Sequence, residues 1–195
     1  MSVEEVVLLD EDGRAIGTTP KRTVHHHETP LHLAFSCYLF DDDGALLLTR
    51  RALHKPTWPG AWTNSFCGHP GPGEDLAEAV VRRAEQELGV ELRSVELVLP
   101  AFRYQAEMPD GTRENEMCPV FVARSSAEVR PDPAEVDDSC WVPWRELVPE
   151  VLSGTREVSP WCVEQVRQLQ SCQEGDWFTP ADASQLPPAA RLGRP

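Results

Sequence analysis

The sequence predicts a single α/β domain, a mixed β-sheet with helices on its faces. Three observations lead there. The chain has 195 residues, the size of one globular domain, and neither an internal repeat nor a break in composition divides it. Short apolar runs bounded by turn residues supply strands. Two stretches with apolar residues three and four apart supply helices.

The elements follow in order. Residues 3–9 are apolar and β-prone, and the Asp10–Gly13 turn cluster closes them into a short hairpin. Leu31–Phe40 reads as a buried strand, and Asp41, Asp42, Asp43 and Gly44 turn the chain into a second strand, Ala45–Thr49. His54–Trp62 is too rich in Pro and Trp for a regular element and reads as a structured loop. Leu76, Ala77, Val80, Val81, Ala84 and Leu88 share one face of an amphipathic helix over residues 75–88, closed by Gly89. Val90–Tyr104 and Cys118–Ala123 supply further strands, with the turn Pro109, Asp110, Gly111 between them. Ser159 and Pro160 read as an N-cap with proline in the first turn of a final helix of about 12 residues, with Trp161, Val166 and Leu169 on one face. From Thr179 onward prolines interrupt any periodicity. Residues 1–178 are therefore expected to form the domain and residues 179–195 a Pro-rich, loosely held tail.

Charge and composition narrow the function. With 18 basic against 32 acidic residues the chain carries −14, which repels a phosphate backbone, so nucleic-acid binding is not expected. No run of 18 apolar residues occurs, and the first five residues lack the basic and apolar regions of a secretion signal. A cytoplasmic protein with no membrane span is expected, as a monomer or homodimer. Six cysteines without CxxC spacing, in a domain of this size, read as reduced thiols.

Chemistry-bearing residues are unevenly placed. Lys21, Arg22, His25, His26, His27 and His32 fall within twelve residues. His25, His32 and His69 with Glu114 and Glu116 offer nitrogen and oxygen donors suited to Mn, Zn or Fe, more than a closed four-ligand zinc site takes. An open catalytic metal site and a set of scattered surface histidines are both compatible with this spacing. Glu114-Asn115-Glu116 reads as lying just before a strand, and its two carboxylates, at i and i+2 in extended chain, point to one side and can share an ion or lie in a solvated loop. Cys67 sits between an aromatic-rich loop and a helix, where a cysteine either moves protons or is quietly buried.

Gly68, five residues, Glu74, seven residues, Arg82, and then Glu87, Gly89 and Val90 resemble the Nudix box, a loop-helix-loop. The resemblance implies a Nudix-like fold. Hydrolases of that superfamily hold magnesium through several box glutamates, and two of those positions here are Arg83 and Gln86. Diphosphate hydrolysis is therefore disfavoured. The stretches Leu31–Ser36, Leu48–Ala52, Trp58–Ser65, Cys67–Pro70 and Glu114–Phe121 are similar to the type I isopentenyl-diphosphate isomerase family, and the likeness spans roughly residues 3–170.

That resemblance implies an enzyme of isoprenoid biosynthesis that interconverts isopentenyl and dimethylallyl diphosphates by adding one proton and removing another, through a carbocation-like intermediate. It implies Cys67 and Glu116 as the acid-base pair, Tyr104 as the hydrogen-bond partner of Glu116, and Trp161 as the aromatic face that shelters positive charge. It implies Lys21, Arg51, Lys55 and Arg83 as diphosphate contacts. His25, His32, His69, Glu114 and Glu116 would hold Mn2+, Zn2+ or Mg2+, with His25 chosen over its neighbours by its register with Lys21 and His32. Glu87, with Cys67 also counted among the metal-binding positions, would serve a second ion, a Mg2+ bridging to the diphosphate. A Nudix hydrolase and a non-catalytic metal-binding module are the competing readings.

Overall fold

The computed structural model describes residues 4–175 and 177–191 of the chain. It opens with the expected hairpin, β1 (Glu5–Leu9) antiparallel to β2 (Ala15–Pro20). The apolar run that follows makes two strands rather than one, β3 (His32–Leu33) and β4 (Phe35–Phe40), which belong to different sheets. Next come β5 (Ala45–Arg51), β6 (Trp62–Thr63), β7 (Phe66–Gly68) and helix α1 (Leu76–Leu88). Strands β8 (Ser94–Leu99), β9 (Arg103–Glu107), β10 (Arg113–Met117), β11 (Val120–Arg124) and β12 (Val136–Pro143) lead into helices α2 (Trp144–Leu152) and α3 (Pro160–Leu169).

One sheet runs β2-β1-β3-β10-β9 and the other β12-β5-β4-β11-β8, with β6 paired to β5 and β7 to β4. The two sheets are joined by a pair of segments that cross from one to the other side by side. β10 is parallel to β3, setting Glu116 opposite His32, and β11 is parallel to β4, setting Val120 opposite Ser36. Pro119 has no N–H to give, so the ladder breaks there. Across the break the Ala34 N–H donates to the Met117 carbonyl at 2.9 Å and the Ser36 N–H to the Pro119 carbonyl at 3.1 Å.

Side chains alternate along the second sheet and both its faces are buried, which is why its strands read as unbroken apolar runs. Phe35, Cys37 and Leu39 join Leu76, Val80, Ala84 and Leu88 of α1 in one core, whereas Tyr38 and Phe40 join Trp144, Leu147, Val166 and Leu169 of α2 and α3 in the other. Asp75 caps α1, its carboxylate accepting from the Ala77 and Glu78 N–H groups, and Gly89 ends it in the left-handed conformation at φ 62°. Val81, placed on the apolar face by spacing, is 46% exposed.

Strands β4 and β5 splay apart beyond Phe40 and Leu46, and the residues between β6 and β7 fill the wedge. Buried polar side chains replace ladder bonds there. Ser65 Oγ accepts from the Leu39 N–H at 2.7 Å and donates to the Leu47 carbonyl at 2.7 Å, while Asn64 Nδ2 donates to the Cys37 and Phe66 carbonyls.

Several expectations need correction. Val90–Tyr104 is two strands, β8 and β9, and the Glu114–Glu116 segment lies inside strand β10 rather than before a strand. β12 and α2 were not foreseen: β12 is a sheet-edge strand with mostly exposed or half-buried residues, and α2 contains Pro149 and lacks a side-chain cap. Ser159 precedes α3 without capping it, because its hydroxyl bonds Thr63 Oγ1 at 2.8 Å. The segment after residue 178, expected to be loosely held, is docked as far as it is described. The Ala181 N–H donates to the Leu97 carbonyl and the Ala189 N–H to the Gly13 carbonyl, and Leu186 and Ala190 are buried in the α1 core. Gly13, at φ 78°, sits where an added Cβ would meet Pro187 at 2.9 Å, so glycine serves both the turn and the docking. Residues 192–195 of the expected tail lie outside the described residues.

Leu186→Ala should lower unfolding free energy by about 2 kcal/mol, since it deletes a buried leucine side chain. Urea denaturation of the variant checks this; an unchanged midpoint would mean the segment is not docked in solution.

Candidate active site

The crossing between the sheets opens onto a cavity of about 600 Å³. Lys21, His25, Arg51, Lys55, Cys67, His69, Arg83, Tyr104, Glu114, Glu116 and Trp161 all line it. Residues separated by 140 positions in sequence thus share one chamber, while His32 and Glu87 stand behind its wall, each against a lining residue.

Glu116 is at the centre. Its Oε1 lies 3.2 Å from His32 Nε2, 3.1 Å from His69 Nε2 and 3.7 Å from His25 Nε2. Its Oε2 accepts from the Tyr104 hydroxyl at 2.9 Å, which also reaches Glu114 Oε2 at 2.8 Å. One ligand atom from each of His25, His32, His69 and Glu116 falls within 4.8 Å of all the others. His32 Nδ1 faces the Pro30 carbonyl at 2.9 Å and donates to it, so in the neutral imidazole Nε2 presents a lone pair to the carboxylate. Two lone pairs at such a distance repel unless a proton or a metal cation lies between them, and against burial Glu116 raises the proton affinity of His32 as it would attract a cation. His25 Nε2 is buried without a hydrogen-bond partner, aimed at the same point. The donor set therefore fits a divalent metal ion. His26 and His27 turn elsewhere: His26 Nδ1 accepts from the Glu28 N–H, and the His27 ring lies against Gly111. Glu114 adjoins the cluster, tied to it through Tyr104, and Cys67, also counted among the metal-binding positions, adds no atom to it.

Burial would push the Glu116 carboxyl up, but the three imidazoles that face it hold it well below the ordinary range. Burial pushes His69 down to about 4. Glu114 is raised by burial and by the charge of Glu116.

Cys67, on β7, belongs to a second cluster. Burial raises its thiol to about 11, so it carries its proton at neutral pH. Sγ donates to Asn64 Oδ1 at 3.3 Å and lies 3.3 Å from Ser36 Oγ. Asn64 Oδ1 also accepts from Trp161 Nε1 at 3.1 Å, so one amide oxygen locates both the thiol and the indole. Trp161 is further held by Tyr104 and Trp58, each with ring centroids 5.6 Å away.

The cations form a third group. Arg51 Nε and Nη2 donate to the Thr57 carbonyl at 3.1 and 2.9 Å. Lys21 pairs with Glu4 at 2.8 Å, and Glu135 bridges Lys55 and Arg83. Glu87, buried and raised by that burial against the opposing charge of Arg83, accepts from Arg83 Nε at 2.9 Å.

Comparison with known proteins places the chain in a family. The NUDIX domain model matches residues 30–162. The isopentenyl-diphosphate Delta-isomerase of Mycolicibacterium vanbaalenii is 56% identical over 174 residues, covering 89% of this chain and 96% of the relative. That of Saccharopolyspora erythraea is 52% identical over 190 residues, covering 96% and 97%. This chain belongs to the isopentenyl-diphosphate Delta-isomerase family of NUDIX-domain proteins. Among solved structures, DR0079 from Deinococcus radiodurans aligns with TM-score 0.64 at 23% identity over 84% of this chain and 98% of that one. A MutT protein from Methanosarcina mazei aligns with TM-score 0.60 at 21% identity over 74% and 96%. These two share the fold.

Within this isomerase family member the Nudix box is put to different use. Glu74 is bonded to Arg82 Nε at 2.6 Å and to the Gly71 N–H at 2.7 Å, so it braces the loop before α1. Arg83, where hydrolases carry a glutamate, projects a guanidinium to the cavity, and Gln86 accepts from Arg82 and Arg83. Nothing in the local sequence singles out Ser36, Asn64, Thr57, Glu4 or Glu135. Asn64 and Ser36 lie within motif stretches already quoted, yet as ordinary polar residues inside apolar surroundings they signal a role only by being buried. Glu135 had no local pattern to mark it among 32 acidic residues.

A divalent metal ion at a hundredfold excess over its dissociation constant should add about 2.7 kcal/mol of stability, read as a rise in Tm. His69→Ala should abolish the rise. An equal rise in that variant would place the ion elsewhere.

Proposed function

We propose that this chain interconverts isopentenyl diphosphate and dimethylallyl diphosphate, an isomerisation in isoprenoid biosynthesis. The observation that carries the reading is a single cavity holding a protonated thiol, a carboxylate at the convergence of three imidazoles, an indole face and a separate group of cations. Isomerisation needs a proton added to the terminal carbon of an alkene and another taken from the carbon on the far side of the branch point, with the electron pair of that C–H bond becoming the new double bond. An alkene is a poor base, so the acid must be held close and dry.

Cys67 and Glu116 are suited to this exchange. Both line the cavity, and at rest one carries a proton while the other is ready to accept one. Tyr104 fixes the free oxygen of Glu116, and Asn64 and Ser36 fix the thiol. The Trp161 face stabilises the tertiary, cation-like carbon through its quadrupole while offering no nucleophile. Lys21, Arg51, Lys55 and Arg83 hold the diphosphate and so keep the reacting carbons in register.

His25, His32, His69 and Glu116, with Glu114 adjoining, would hold Mn2+, Zn2+ or Mg2+, the imidazoles suiting Zn2+ and the carboxylates Mn2+ and Mg2+. When bound, such an ion sets the acidity of the carboxyl it touches. Glu87 would serve a Mg2+ shared with the diphosphate, in keeping with the habit of that ion to combine one or two carboxylates with substrate phosphates. Six unpaired cysteines support a reducing, cytoplasmic setting. No described helix is long and apolar enough to cross a membrane. Arg83 and Gln86, in place of metal-binding glutamates, weigh against hydrolysis.

Incubation with isopentenyl diphosphate and Mg2+ in heavy water should yield deuterated dimethylallyl diphosphate. Release of phosphate would indicate a hydrolase instead, and an unchanged substrate a non-catalytic protein. Cys67→Ala and Glu116→Gln should each lower kcat by about a thousandfold or more while the far-UV spectrum stays native. Substantial turnover in either variant would remove that residue from the acid-base pair.

A further inference from the structure

The cations of the cavity are not equally free to take an anion. Arg51 spends its hydrogen bonds on the carbonyl and hydroxyl of Thr57, neutral groups that orient the guanidinium without cancelling its charge. Among the described residues it has no carboxylate partner within ion-pair distance. Lys55 and Arg83 differ. Glu135 Oε2 pairs with Lys55 Nζ, and Glu135 Oε1 lies 3.3 Å from Arg83 Nη2, which Glu87 Oε1 also bonds, so one carboxylate neighbours both cations and shares Arg83 with a second.

The backbone of Glu135 is fixed beside these cations. Its N–H donates to the Asp132 carbonyl at 2.9 Å, and its own carbonyl accepts from the Ala52 N–H at 3.0 Å, at the end of the strand that carries Arg51. Its side chain is 24% exposed, so the carboxylate has solvent to turn to when an anion replaces it. Burial acts to raise its carboxyl, but Lys55 and Arg83 outweigh that and keep it ionised.

We propose that Glu135 sets the affinity of the anion subsite: its carboxylate holds on Lys55 and Arg83 the bonding positions a substrate diphosphate takes, and is displaced when the diphosphate enters. The inference rests on the diphosphate reading given above. Its physical sense lies in the reaction. Substrate and product carry the same diphosphate, so uncompensated cations would bind both with equal excess and retard release. A resident carboxylate makes binding an exchange of one ion pair for another, which lowers the net gain on entry and returns a partner to the cations on exit.

The opposite role, in which Glu135 merely orients Lys55 and Arg83 for the substrate, predicts the opposite sign. Full-length protein loaded with Mn2+ is titrated with inorganic pyrophosphate, with and without Mg2+, by calorimetry, as wild type and as Glu135→Gln. The glutamine is isosteric and leaves both backbone bonds in place. Kd for pyrophosphate should fall roughly three- to tenfold in the variant, and KM for isopentenyl diphosphate should fall in parallel without a gain in kcat. Glu135→Asp, whose shorter side chain withdraws from Lys55, should shift both constants in the same direction and serves if the glutamine variant misfolds. Unchanged or weaker binding overturns the proposal. Weakening seen only with Mg2+ present also overturns it and makes Glu135 a ligand of that ion. If wild type itself fails to bind pyrophosphate, the diphosphate reading falls and this inference with it; binding by wild type with no change in the variants removes this inference alone.

Discussion

The parallel register of β3 against β10 is the constraint on which the site depends. It sets Glu116 opposite His32 in the sheet, and so brings a carboxylate oxygen to 3.2 Å from an imidazole nitrogen that cannot turn away, its other nitrogen being bound to Pro30. A slip of one residue would send Glu116 to the opposite face of the sheet and leave Asn115 or Met117 in its place. The register is secured by the same two segments pairing again as β4 and β11, where both faces are buried and a slip would put every apolar side chain on the wrong side. Core packing in one sheet thereby holds the chemistry of the other.

The second feature is the use of buried polar groups as rigid parts. Asn64 and Ser65 stand where β4 and β5 separate, and they replace the missing ladder bonds with side-chain bonds. Because both hydrogens of the Asn64 amide are committed to the Cys37 and Phe66 carbonyls, its oxygen is left aimed at the Cys67 thiol and the Trp161 indole. A structural repair and the location of two cavity side chains are the same residue. Unsatisfied, such a network would cost several kcal/mol; satisfied, it leaves few alternative arrangements.

Charge is distributed with similar economy. A chain of net charge −14 gathers Lys21, Arg51, Lys55 and Arg83 around one cavity and tempers three of them with Glu4, Glu87 and Glu135. The Nudix helix contributes to this by substitution at a single position. Arg83 carries positive charge to the place where a hydrolase would assemble carboxylates, and its i, i+4 bond to Glu87 keeps that charge solvated by protein.

Much of this was legible in the sequence because it is written in local spacing. The α1 helix and its Gly89 stop, the opening hairpin, and the long motifs around Cys67 and Glu116 each lie within one stretch of chain, where residue order alone carries the pattern. β12 and α2 were not legible, since an edge strand half open to water shows little alternation and a helix holding Pro149 and lacking a cap shows no start signal. The docking of residues 180–191 was misjudged because prolines that end a helix do not prevent a segment from settling into a groove between other elements. The candidate metal ligands could be named from sequence, yet whether five donors converge or scatter is a question of distance across residues 25 to 116, and only the pairing of β3 with β10 decides it. The same holds for Glu135, Ser36 and Asn64: their identities are ordinary, and what makes them consequential is the burial and the partners that the fold alone supplies.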